Sequence, residues 1–288
     1  MKYQLYLAFF SLIASLPLKV LYGLSNVLYL VLYHLVHYRR STVRANLAAA
    51  FPDMSTAERT DVEKEFYRHL CDIIFETIKL LRMSDREIDK RLTVENAEII
   101  ENAARSNQAI ILFIGHYCNW EWVPAITRHY KQPELSCQIY KPLRNEAFDK
   151  LMLKIRSRFG SLSIPQKKTL RTLLKLKSEH ASFITGFISD SRPNSKDTQE
   201  NTIFLHQPTT FSPGGEIIGN KINATFLYLD MEKTARGYYK LIVKPLAPPD
   251  PSVSYPYTKA YFSQLQKTIE RQPAYWLWSH KRWLFNIK

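Results

Sequence analysis

Glycine and cysteine are both scarce in this chain. Its eight glycines in 288 residues follow no G-X-Y period, and no heptad repeat is present, so collagen-like and coiled-coil chains are excluded. The three cysteines, Cys71, Cys118 and Cys137, are odd in number, widely spaced and form no CxxC. That supports neither a disulfide framework nor a cysteine zinc site, and it suits a reducing compartment. Acidic residues are outnumbered, 26 against 40 Lys and Arg, for a net charge of +14. Such a balance implies an anionic partner: nucleic acid, anionic lipid headgroups or an acidic protein. A mean hydropathy of −0.26 is too low for a chain crossing the membrane many times. What is present, 45% hydrophobic and 13% aromatic residues, excludes a disordered chain and is ample for a buried core.

The N-terminus points to which anion. Leu5 to Val36 is almost continuously apolar, long enough to span a bilayer even if Pro17 kinks it. It ends at His37-Tyr38-Arg39-Arg40, and basic residues there favour keeping the rest of the chain in the cytoplasm. Lys19 in mid-stretch allows the alternative of a helix lying in the interface. A cleavable signal peptide and a buried core helix are the other readings. The chain thus divides into three segments: a membrane anchor at 1–38, a helical segment at 39–92 and an α/β domain at 93–288.

In the helical segment, Arg40 to Phe51 reads as a short helix. Ser55 and Glu58 form a capping box opening a helix that carries Val62, Phe66, Leu70, Ile73, Ile74 and Leu81 at helical spacing. Ser84 to Glu87 repeats the cap. Beyond residue 93, apolar runs at 109–114, 135–140, 161–164, 182–188, 224–231 and 238–243 alternate with helical patterns at 145–159, 167–177 and 257–271. Gly160 is expected to cap the first of these. The alternation predicts an α/β fold with a largely parallel central sheet flanked by helices.

Functional residues of such sheets gather at the carboxyl ends of strands. Gly115 allows a sharp turn after the first strand, placing His116 at its end. Asn119 reads as the N-cap of a helix whose opening turn holds Glu121, a carboxylate that can reach the imidazole and orient a base. His129 with Glu134 shows the same spacing but comes after no buried strand. Lys141 at the next strand end suits a phosphate. Downstream lie Asn145, Asp149, Arg156 and Arg158, with Arg156 placed to return toward His116 and Glu121. Asp190 and Arg192 come after a third strand. Three successive strands thus deliver His116, Lys141 and Asp190 toward one edge. The ending, Tyr275 to Trp283, interleaves aromatics with cations, as at a membrane interface or a base-stacking surface, or simply packs on the domain.

Taken together these residues resemble the bacterial lipid A biosynthesis acyltransferases, the late lauroyl/myristoyl transferase family. The likeness runs over nearly the whole chain. GHYCNWEW at 115–122 is similar to the family's G-H-x-G-N-W-E, and YKPLRNEAFDKLMLKIR at 140–156 to its Y-R-P-x-x-N-x-x-x-D block. SDSRP at 189–193 is similar to its aspartate block, and YWLWSHKRW at 275–283 to its W-x-H-[KR]-[RK] ending. The resemblance implies transfer of a fatty acyl chain from an acyl carrier protein thioester to a hydroxyl of a phosphorylated glycolipid, without metal or other cofactor. The work is done at the cytoplasmic face of the inner membrane, against an anionic lipid surface and without nucleic acid. It implies His116 as general base, Glu121 as its partner and Arg156 as the active-site arginine. Substrate would be bound by Asn119, Tyr140, Lys141, Asn145, Asp149, Arg158, Asp190 and Arg192. Three positions depart from the pattern. Cys118 stands where glycine is usual, Lys141 where arginine is, and Phe204 to Pro208 replaces an F-F-G stretch. An amino-acid lipid or glycerolipid acceptor, or a non-catalytic lipid-binding protein on the same scaffold, are the alternatives.

Overall fold

This computed structural model describes residues 2–106, 109–194 and 198–283. Pro17 divides the apolar N-terminus, because it cannot donate the helical hydrogen bond its position would require. Two helices result, α1 (Lys2–Ser15) and α2 (Leu18–Leu30), the second continued by a π-helical turn over Val31–Leu35. The single apolar stretch expected from the sequence is therefore broken. One run, Leu18–Leu35, keeps the length and composition needed to cross a membrane. Next come helices α3 (Arg40–Ala50), α4 (Thr56–Lys79) and α5 (Asp85–Arg91). Both halves of the capping box at the start of α4 are present, with Glu58 N donating to Ser55 Oγ at 3.2 Å and Ser55 N to Glu58 Oε2 at 2.7 Å.

One flank of α2 is fastened to α4 by buried polar contacts. Ser25 Oγ donates to Asp72 Oδ1 at 2.6 Å, and Tyr22 OH to Glu76 Oε1 at 3.0 Å. The other flank leaves Val20, Leu24, Val27 and Leu30 exposed, continuing the outward apolar face of α1 at Leu5, Phe9 and Leu12. Contiguous apolar surface of this kind marks a partner or a membrane.

The α/β domain contains β1 (Leu92–Glu95), α6 (Glu98–Ser106), β2 (Ala109–Ile114), β3 (Leu135–Tyr140), α7 (Glu146–Arg156), β4 (Leu162–Pro165), α8 (Thr169–Ser178) and β5 (Phe183–Ile188). It continues with β6 (Glu200–Phe204), β7 (Gln207–Phe211), α9 (Gly214–Lys221), β8 (Thr225–Ala235), β9 (Tyr238–Pro245) and α10 (Pro256–Arg271). Seven strands form one sheet in the order β1-β9-β8-β2-β5-β3-β4, parallel except where the β8–β9 hairpin pairs antiparallel. Buried on both faces, β2 and most of β5 read as continuous apolar runs. Over the sheet, Tyr261 of α10 stacks on Phe113 and donates to the Ile114 carbonyl at 2.9 Å.

Strands β6 and β7 form a separate hairpin. Its two-residue turn, Leu205-His206, is left-handed at both positions (φ 49° and 62°), which is the conformation such tight hairpins need and glycine supplies most easily. The departure from F-F-G thus falls on a turn that lacks its usual residue. Helix α7 ends at Arg156 rather than running to Gly160. Gly160 takes φ 84° in the turn beyond it, where its missing Cβ is needed to redirect the chain into β4.

Candidate active site

Strands β2, β5 and β3 lie side by side and parallel, so their carboxyl ends share one edge. His116 comes after β2, Asp190 after β5, and Tyr140 and Lys141 close β3. Because β5 is the neighbour of β2, the carboxylate that meets the imidazole is Asp190. His116 Nδ1 lies 2.7 Å from Asp190 Oδ1, and the His116 backbone N–H donates to Asp190 Oδ2 at 2.9 Å. Trp276 Nε1 donates to the same Oδ2 at 2.8 Å. Asp190 is buried, while the imidazole is 24% exposed.

The expectation that Glu121 orients His116 is corrected by this geometry. Glu121 instead takes both its oxygens to Arg156, from Nε at 2.8 Å and Nη2 at 2.5 Å. The return of Arg156 toward Glu121 at the end of α7 agrees with the sequence reading. Both line the same cavity as His116.

These contacts set the electrostatics. Burial disfavours the imidazolium, but the charge and hydrogen bond of Asp190, with the Glu121 charge beyond, outweigh it and raise the His116 pKa. Asp190 moves the opposite way. Burial would push its pKa up, yet the His116 charge and the hydrogen bonds from His116 and Trp276 hold it below the usual carboxylate range. With Nδ1 engaged, Nε2 is the nitrogen left to exchange a proton with a substrate.

The turn carrying His116 is held from behind. Gly115 does not need the special backbone conformation expected from the sequence; a Cβ there would lie 2.5 Å from Leu265 Cδ1 of α10, so glycine permits close packing. The residue in the left-handed region is Cys118, at φ 49°, which explains why glycine is usual at that place in the similar motif. Its N–H donates to Tyr275 O at 2.9 Å. Asn119 neither caps a helix nor faces the cavity. It is fully buried, its amide donating to Glu76 Oε2 at 2.7 Å, and Trp120–His129 is a 3₁₀ run. Tyr239 OH reaches that oxygen too, at 2.7 Å. Burial, with the nearby Asp72 charge, raises the Glu76 pKa against these hydrogen bonds.

Cys118 is fully buried, and burial pushes its thiol well above the ordinary value. It is therefore no nucleophile. Cys118→Gly should leave catalytic turnover within about threefold of the native chain, measured in steady state, because relief of backbone strain offsets the lost packing.

A cavity of about 800 Å³ opens on His116. Its apolar floor includes Leu112, Ile114, Val123, Ile126, Ile139 and Ile184, and Tyr140, Lys141, Arg192 and His280 supply polar groups. Besides Asn119, three further residues expected to bind substrate lie elsewhere. Asn145 caps α7 through Ala147 N and Phe148 N, both at 3.1 Å. Asp149 accepts from Leu143 N at 2.8 Å. Arg158 donates to the Leu80 carbonyl at 2.5 Å, to the Met83 carbonyl and to Asp85, tying the α4–α5 turn to the domain.

Sequence reasoning missed Trp276 as the support of Asp190 and Glu76 as the anchor of the turn, while His280, a candidate second histidine from the C-terminal motif, does line the cavity. The C-terminal aromatics are mostly buried, with Trp276, Trp278 and Trp283 all in the core, so they form neither a membrane belt nor a stacking surface. Among the described residues no cluster of His, Cys, Asp and Glu is arranged to hold a metal ion.

The model of the family described as "Bacterial lipid A biosynthesis acyltransferase" matches residues 1–285. Among curated proteins, the chain is similar to the "Lipid A biosynthesis palmitoleoyltransferase" of Escherichia coli (strain K12). The two are 23% identical over 246 residues, which is 85% of this chain and 78% of that protein. The "Lipid A biosynthesis acyltransferase" of Shigella flexneri matches to the same extent. That of Haemophilus influenzae is 26% identical over 152 residues, 53% of this chain and 47% of its own length.

Proposed function

Since this chain belongs to the bacterial lipid A biosynthesis acyltransferase family, we propose that it moves a fatty acyl chain from an acyl carrier protein thioester to a hydroxyl of a phosphorylated glycolipid, with His116 as general base. The observation that carries this reading is the His116–Asp190 pair, its imidazole lining a large cavity with an apolar floor. His116 Nε2 takes the proton of the acceptor hydroxyl as its oxygen attacks the thioester carbonyl. Collapse of the tetrahedral intermediate breaks the C–S bond, and the leaving thiolate takes the proton back from the imidazolium. Asp190 fixes the tautomer and steadies the imidazolium; such general-base help is worth about 10²–10⁴ in rate.

The oxyanion needs donors. The backbone N–H groups of His116 and Cys118 are already committed to Asp190 and Tyr275. The Arg156 guanidinium, locked in place by Glu121, is the group this reading assigns to the task. Arg156→Lys should therefore lower kcat/KM by about 10–10³, since a lysine keeps the charge and loses the bidentate pairing that aims it. An unchanged kcat/KM would remove Arg156 from the reaction.

The acceptor's phosphates and the acidic carrier protein suit the net charge of +14 and the exposed Lys141 and Arg192 at the cavity. The outward apolar faces of α1 and α2 suit a chain lying in the interface at the cytoplasmic side of the inner membrane. The decisive experiment incubates purified protein with labelled acyl carrier protein thioester and a lipid A precursor, and weighs the lipid by mass spectrometry. The lipid should gain one acyl chain. Lipid binding without any gain of mass would leave a lipid-binding protein on an enzyme scaffold. Transfer confined to a glycerolipid or an amino-acid lipid, offered in parallel, would move the acceptor and keep the reaction.

A further inference from the structure

A second cavity of about 330 Å³ adjoins the first. Its apolar walls are Leu32 from the π-helical turn, Leu70 and Ile74 from α4, and Leu277 from the C-terminal segment; Tyr38, Arg39, Ser279 and His280 supply its polar lining. His280 lines this groove and the catalytic cavity alike, so the two share one wall residue. We propose that the groove is a second lipid site, holding one acyl chain of the phosphorylated acceptor while its anionic headgroup lies against Arg39. This rests on the reading above that the acceptor is a lipid.

Three observations carry the inference. Leu70 and Ile74 continue the apolar spacing of α4 yet are not closed into the core; Ile74 stays 38% exposed. Two apolar side chains left open in a groove that shares a wall residue with the cavity of His116 suit a hydrocarbon. Leu35 and Val36, next to the groove in the chain, are 73% and 59% exposed, so the groove begins where the most outward apolar surface of the molecule ends.

The third observation is the setting of Arg39. His37 and Arg39 both lie in the left-handed region, each at φ 51°, and neither is glycine. Strain of this kind persists only where surrounding bonds hold it. Here Tyr38 N donates to Leu32 O at 3.0 Å, Tyr67 OH to Tyr38 O at 2.5 Å and Arg39 Nη1 to Ser279 O at 2.9 Å. The result is an exposed guanidinium fixed beside the groove and next in the chain to the apolar helix. A planar fork so placed matches a lipid phosphate.

The test uses the burial of all three native cysteines. In Ile74→Cys the only accessible thiol sits in the groove, and its alkylation by a maleimide reports occupancy whether or not acyl transfer occurs. An acylated, phosphorylated glucosamine disaccharide in non-ionic micelles should slow alkylation at least tenfold. The same disaccharide stripped of its acyl chains, and empty micelles, should leave the rate unchanged. Removing the phosphates, or adding Arg39→Gln to Ile74→Cys, should raise the half-protecting concentration about tenfold. Equal protection by empty micelles, or none by the acylated lipid, would overturn the site. Ile74→Trp gives the functional counterpart, with KM for the acylated acceptor raised about tenfold; a KM that stays at the native value would overturn the site. Absence of transfer to every acceptor would strike the proposed reaction alone, since protection is read without it.

Discussion

Alanine at His116 should lower acyl transfer by about 10³–10⁴-fold and leave the protein folded. The rate loss comes from the position of the ring, which is the only imidazole paired with a carboxylate at the cavity among the described residues. The retained fold comes from what the side chain does not do. Its ring is partly exposed, so little packing is lost. Asp190 keeps two of its donors, the residue 116 backbone N–H and Trp276 Nε1, and is not orphaned. Asn119 still anchors the turn on Glu76. Thermal unfolding should therefore shift by no more than the equivalent of about 1–2 kcal/mol. Turnover of the acyl carrier protein thioester by the purified variant, measured alongside near-ultraviolet circular dichroism, checks both halves. A variant that transfers at the native rate would end the assignment of His116.

Much of this edge is legible from the chain, because buried strands announce themselves as apolar runs. The spans 109–114 and 135–140 and the ends carrying His116, Lys141 and Asp190 need only local pattern. What local pattern cannot supply is strand order. Glu121 stands five residues from His116 and Asp190 seventy-four, so proximity in sequence favours the wrong carboxylate. The crossover that lays β5 against β2 reverses that preference. Trp276 is hidden for a similar reason. An aromatic run beside cations looks the same whether it meets lipid or folds back under a buried aspartate at the sheet edge. The β6–β7 hairpin reads as a polar loop because only a third of its residues are buried and its turn lacks glycine. Asn119 and Arg158 show the limit of reading polar residues near a motif as ligands, for each meets a group of the fold itself.

Asp190→Asn separates the two carboxylates by a measurement each would answer differently. A general base works only when neutral, so kcat/KM rises with pH through the His116 pKa, which stands above the ordinary 6.5. Asparagine removes the negative charge and can present its amide to Nδ1, favouring the wrong tautomer. The plateau rate should fall by about 10²–10⁴, and the acid limb should move to lower pH, because the imidazolium has lost its counterion. Glu121→Gln removes a more distant charge and leaves the Nδ1 contact in place, so its acid limb should move less. Stability gives an independent sign. The raised His116 pKa contributes stability that is fully present below 6.5 and fades as pH rises through the folded value. The depressed Asp190 pKa contributes stability present above 3.8 and lost as pH falls through its folded value. Both contributions are fully present together between about pH 4 and 6.5. The melting temperatures of native protein and Asp190→Asn should accordingly differ most inside that window, the difference shrinking as pH falls below it and, above it, declining to what the Asp190 contribution alone supplies. An acid limb that stays in place in Asp190→Asn but shifts in Glu121→Gln would return the pairing to Glu121 and remove Asp190 from the base.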